Sequence, residues 1–113
     1  DKTTRRILDL FAYRFTRLQD DMGNILLPAI LKNMAEDTHS MAAIDRFNRL
    51  EQLKSLQSSE EWLELRRVRN EFTHNYPEHS SERSSKLREA IRVAHRLLEI
   101  FEEISSRIQR EIL

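Results

Sequence analysis

Arg69, Asn70, His74 and Tyr76 stand within a single short segment, Arg69-Asn-Glu-Phe-Thr-His74-Asn-Tyr76. Arginine can neutralise charge as it builds on a phosphate in a transition state. Histidine moves protons near neutral pH, and the last turn of a helix is a favourable place for a cation. Asn70, one turn before His74, can hold the imidazole or a substrate oxygen in place. An arginine and a histidine without metal ligands suit RNA cleavage, in which the 2′-hydroxyl attacks the adjacent phosphate. DNA lacks that nucleophile.

The same residues have plainer explanations. The chain holds 19 basic residues, of which only Lys2, Lys32, Lys54 and Lys86 are lysines, so 15 are arginines. With four histidines among 113 positions, an arginine five residues before a histidine arises readily by chance. His74 can be no more than a cation at a helix end, and Tyr76, before Pro77, can simply pack a corner. A looser Arg88 to His95 spacing lacks the asparagine and the tyrosine. His39 and His79 fall in polar stretches. Zinc motifs, phosphate-cradling glycine loops and nucleophile elbows are missing, and with no cysteine there are neither disulfides nor thiolate metal sites. No cofactor is expected.

These side chains must be positioned by helices. Leu, Arg and Glu, which lose little on entering a helix, dominate, while there is one Gly and there are two Pro. Ile7, Leu10, Phe11, Phe15, Leu18, Met22, Ile25 and Ile30 recur at three- and four-residue steps and predict a first helix from about Thr4 to Met34. Gly23 and Pro28 predict a kink in it. After a polar loop over Ala35–Ser40, a second helix is expected from about Met41, carrying Ile44, Phe47, Leu50, Leu53 and Leu56 inward. Ser58 and Glu61 form a capping box for a third helix with Trp62, Leu65, Val68 and Phe72 inward, ending near Tyr76 because Pro77 follows. Ser80–Ser85 opens a last helix whose expected core stripe is Leu87, Ile91, Ala94, Leu98, Phe101, Ile104 and Ile108. The expectation is an all-α, antiparallel up-down bundle of four to five helices in a single domain spanning residues 1–113.

At about 100° per residue, Arg69 lies on the flank of the third helix's apolar stripe, and Leu63, Asn70 and His74 lie on its far side. A leucine aligned with an amide and a histidine marks a candidate dimer interface, although one exposed leucine is also ordinary. Arg66 and Arg67 beside it, and Arg14, are possible RNA-binding cations.

The pattern Arg69-Asn70-x-x-x-His74-x-Tyr76, on the penultimate helix of a short helical bundle, resembles the signature of the HEPN-domain family, in particular its HepT-like toxins. The flanking text Phe11–Asp20 and Trp62–His74 is similar in character. The resemblance implies a metal-independent endoribonuclease toxin acting as a homodimer, with the two motifs meeting in a cleft between subunits. By position, Arg69 would stabilise the phosphate, His74 would be the acid/base and Asn70 would orient the pair. Tyr76 would be the tyrosine that a nucleotidyltransferase antitoxin of the MntA type modifies with AMP, placing bulk and negative charge beside the RNA site. The RNA, a tRNA or an mRNA, is left open.

Composition narrows the alternatives. Acidic and basic residues balance at 19 each, which disfavours a nucleic-acid binder working by a broad basic surface. No apolar run approaches the roughly 20 residues of a membrane span, and the first residues do not resemble a signal peptide, so a cytoplasmic protein is expected. Two other readings remain beside the toxin: a non-catalytic substrate- or nucleotide-binding subunit of a nucleotidyltransferase, and a helical interaction protein docking through Leu63.

Overall fold

The computed structural model describes residues 1–34, 36–74 and 80–112, and among these every regular element is helical. Helix α1 (Lys2–Asp21) runs into a π-helical turn (Met22–Leu26) and on into α2 (Leu27–Asn33). Helices α3 (Ala43–Gln52), α4 (Ser59–His74) and α5 (Ser80–Ile112) follow. Helix α4 packs against α1, α3 and α5, so the element carrying the candidate chemistry is the centre of an all-α bundle.

Local chemistry explains the boundaries. Asp1 Oδ1 accepts from the amide of Thr4 at 2.7 Å and caps α1. The regular ladder changes where Gly23 and Pro28 were expected to disturb it. There the amide of Leu27 donates to the carbonyl of Met22, five residues back. Gly23 serves a second purpose, because a Cβ there would lie 3.3 Å from Trp62 Cζ2. The missing side chain lets the first helical run approach the indole of α4.

The second expected helix is shorter than its apolar pattern. It ends at Gln52, where Lys54 takes a left-handed φ of 62°. The amide of Ser55 then donates to the carbonyl of Leu50 at 2.9 Å, and that of Lys54 to Glu51 at 3.0 Å, which closes the helix end. Leu56 is buried from beyond this turn, and Ile44, expected inward, is exposed. Ser58 caps α4 as expected, its Oγ accepting from the amide of Glu61 at 3.0 Å. The Glu61 carboxylate does not close the box; it reaches across to Arg96 on α5.

Trp62, Leu65, Val68 and Phe72 of α4 are all buried, as their spacing predicts. Phe72 meets Phe15 edge-on at 5.8 Å, and Trp62 meets Phe47 at 6.1 Å, tying α4 to α1 and α3. Leu27, Leu31, Leu50 and Leu97 are fully enclosed, each burial contributing about 1.5–3 kcal/mol.

The expected stripe of α5 is corrected. Ala90, Val93, Leu97, Ile100 and Ile104 face the core, while Leu98 is 48% and Phe101 43% exposed. Of the expected set, only Ile104 is buried; Ile91 and Ile108 are exposed and Leu87 and Ala94 half-covered. Two apolar stripes run side by side along this helix, both at three- and four-residue steps, and periodicity does not say which one meets the other helices. The first helix shows the same on a smaller scale: Phe15 and Met22 are buried, but Ile7, Leu10 and Ile25 are exposed.

Candidate functional site

Along α4, Arg66, Asn70 and His74 follow one another at four-residue steps and are all exposed, so they form a ladder on one face. A shallow, open depression runs along it, bordered by these residues together with Leu63, Arg67 and Glu71. Leu63 is half-buried and packs against the core, so it is not the isolated solvent-facing leucine that the wheel suggested.

The two basic neighbours differ. Arg67 donates to Glu64 at 2.7 Å and to Glu71 at 2.5 Å, with Glu89 of α5 at 3.5 Å. The Glu64 bond, first, and then Glu71 hold its guanidinium above the usual arginine range. Lys86, ahead of Arg67, holds the Glu71 carboxyl below the usual carboxylate range. Arg67 is therefore committed to the surface of the fold, whereas Arg66 has no ion pair or side-chain hydrogen bond among the described residues.

Arg69 points the other way. Its Nη2 donates to Asp20 Oδ2 of α1 at 2.7 Å, and its Nη1 to Asn70 Oδ1 at 3.3 Å. The side chain is only 16% exposed, and its buried Nε has no hydrogen-bond partner. Arg69 borders a second, deeper cleft of about 210 Å³ between the first helical run, α3 and α4. Gln19, Asp20 and Asn24 line this cleft from the first helical run, Arg46 from α3 and Arg66 from α4, together with the buried Phe47 and Trp62. Gln19 is 3% exposed, and its Oε1 is buried without a partner.

The sequence-predicted residues are thus divided between two depressions. His74 borders the shallow one and Arg69 the deep one; Asn70 and Arg66 border both. A single chain does not gather Arg69 and His74 into one pocket. Tyr76 and His79 lie outside the described residues. His39 and His95 are exposed and far along the chain from the ladder. Among the described residues, no group of three or more His, Asp or Glu is placed to hold a metal ion, and no helix is long and apolar enough to cross a membrane.

Sequence reasoning missed Gln19, Asp20 and Arg46. A signal for Gln19 was present: Phe15, Gln19 and Met22 stand at four- and three-residue steps, so a polar side chain occupies a core register. Nothing in the sequence pairs Asp20 with Arg69 across 49 residues.

No protein-family model, curated protein or solved structure matches this chain.

Proposed function

We propose that this chain is a metal-independent endoribonuclease that acts as a homodimer, with His74 moving the proton and Arg66, Arg69 and Asn70 holding the phosphate. The observation that supports it is the open ladder Arg66–Asn70–His74, in which the arginine and the histidine have no carboxylate partner among the described residues. A cation and a proton carrier left unpaired on one accessible face are available to a phosphodiester.

In the reaction, the RNA 2′-hydroxyl loses its proton to imidazole and attacks the adjacent phosphorus. The bond to the 5′-oxygen breaks, that oxygen takes a proton, and the products are a 2′,3′-cyclic phosphate and a 5′-hydroxyl. One histidine cannot start as both base and acid, which is a reason for two copies of His74 to meet across a dimer. By its resemblance to HepT-like toxins, the chain would be a cytoplasmic growth inhibitor silenced by a nucleotidyltransferase antitoxin through AMP on Tyr76.

The test is cleavage of a short single-stranded RNA by the purified chain in the presence of a chelator. RNA is cut and the same sequence in DNA is not. His74→Ala lowers the rate by about 10²–10⁴-fold, the range of general acid–base catalysis, while its helical content is unchanged. Equal cleavage by that variant would overturn the assignment.

One observation favours a second reading, a non-catalytic binding subunit of a nucleotidyltransferase. Arg69 is already engaged by Asp20 and does not share a depression with His74. On that reading RNA survives incubation with the wild-type chain, and His74 is dispensable.

A further inference from the structure

Ile91, Leu98, Phe101 and Ile108, four large apolar side chains of α5, are exposed. One exposed apolar residue is ordinary, but a continuous line of them on one helix marks a contact surface. With the half-buried Leu87 and Ala94 they recur at alternating steps of four and three residues, interrupted only by Ser105. That is a period of 3.5, the seam of a helix that pairs with another helix. At 1.5 Å per residue the seam is about 30 Å long. It does not face the rest of the chain. The α5 groups that reach α4 are Lys86 at Glu71, Glu89 at Arg67 and Arg96 at Glu61. They stand on one flank of the buried stripe of α5, and the seam stands on the other.

The polar edge of the seam says what the other helix is. Arg88, His95 and Glu102 follow one another there at seven-residue steps, all exposed. Arg88 and Glu102 have no ion pair among the described residues, and about 21 Å of helix keeps them apart within one chain. A second copy running antiparallel brings them together twice, across a two-fold axis beside His95. Side-chain sizes fit the same register. Ile91 then faces Phe101 of the partner subunit, while Leu98 and Leu87 face the small Ala94 of the partner subunit and Ser105 of the partner subunit. A parallel copy instead sets each charge beside its own kind, which opposes association. A lipid surface is disfavoured too, because Glu99 and Glu102 stand where a membrane-bound helix carries Lys or Arg.

We propose that the outer face of α5 binds a second copy of this chain as an antiparallel helix pair, Arg88 of each protomer meeting Glu102 of the partner subunit. This contact is independent of the ribonuclease reading, whose meeting of two His74 side chains needs a separate contact through α4. A chain that uses both contacts forms an assembly larger than a dimer, so loss of the α5 contact is read as a halving of mass.

Sedimentation equilibrium of the full chain at about 100 μM, well above a micromolar dissociation constant, measures that mass. Wild type should be a dimer or a multiple of one. Leu98→Glu, at an exposed position, should halve the mass while circular dichroism shows unchanged helical content. Arg88→Glu should raise the dissociation constant by about tenfold, since two attractive pairs become repulsive. Adding Glu102→Arg to that variant should return the constant to near the wild-type value. Such a rescue reads the antiparallel register, and a purely structural role for either charge does not produce it. A monomeric wild type overturns the proposal, and binding of that monomer to anionic vesicles would give the seam to a membrane instead. An assembly that Leu98→Glu leaves intact, or one that the double charge exchange does not restore, overturns it as well.

Discussion

On the flank of α4 that faces α5, Arg96 places its Nε and Nη2 each 3.0 Å from the two oxygens of Glu61, with Gln57 at 2.8 Å and Glu99 at 3.3 Å around it. On the flank that faces α1 and α3, Arg69 has one carboxylate, one asparagine and a buried Nε with no partner. Both arginines are largely covered, with 19% and 16% of their side chains exposed. One is saturated by its own chain and the other is not. The first flank joins helices; the second encloses polar atoms that the described residues leave without a partner. Arg67 and Arg66, adjacent in sequence, divide in the same way.

The largest expected effect separates those two kinds of arginine. Arg96→Ala should destabilise the fold by about 1–2 kcal/mol, because it removes charge-assisted bonds to Glu61 and the packing of a long side chain. Arg66→Ala should stay within about 0.5 kcal/mol, as surface changes away from such networks do. Urea unfolding of the two variants checks the contrast, and equal losses would dissolve it.

A smaller effect has the opposite sign. Gln19→Met keeps the length of the side chain and removes a buried acceptor without a donor, so it should stabilise the chain by about 1 kcal/mol. A loss of stability on this substitution would show that the amide is satisfied within the fold, and the two flanks would then be alike.

The smallest effect is set by pH. Lys86 and Arg67 hold Glu71 below its ordinary value of 4.5, and Arg67 does the same to Glu64. A carboxylate lowered on folding stabilises the native state fully above the unfolded value, and that contribution is lost as pH falls through the folded one. Melting temperature should therefore drop as pH falls below the ordinary carboxylate value of 4.5, and Glu71→Gln should reduce the drop. An unchanged acid limb in that variant would mean that the α4–α5 charges contribute nothing measurable.

How much of this was legible beforehand differs from helix to helix. The core face of α4 was readable because Trp62, Leu65, Val68 and Phe72 form one stripe whose opposite side is polar. Ser58 was readable as its cap because capping is settled within one turn of chain. The end of α3 at Lys54 was not, since the apolar spacing from Phe47 to Leu56 continues through a residue with left-handed backbone. For the candidate site, the placing of Asn70 and His74 on one face followed from their spacing. The separation of Arg69 from His74 did not, because it depends on Asp20 of another helix.

By itself, then, the sequence determined an all-helical chain, the inward face of α4 and the ladder that leads to His74. All three follow from local propensity, capping and a period of 3.6 residues. Tertiary structure alone decided which of two apolar stripes on α5 is buried, which arginines are matched, and that Gln19 and Arg69 share a cleft. Each of those outcomes depends on a neighbour brought up from a distant part of the chain, and helical periodicity has no information about that neighbour.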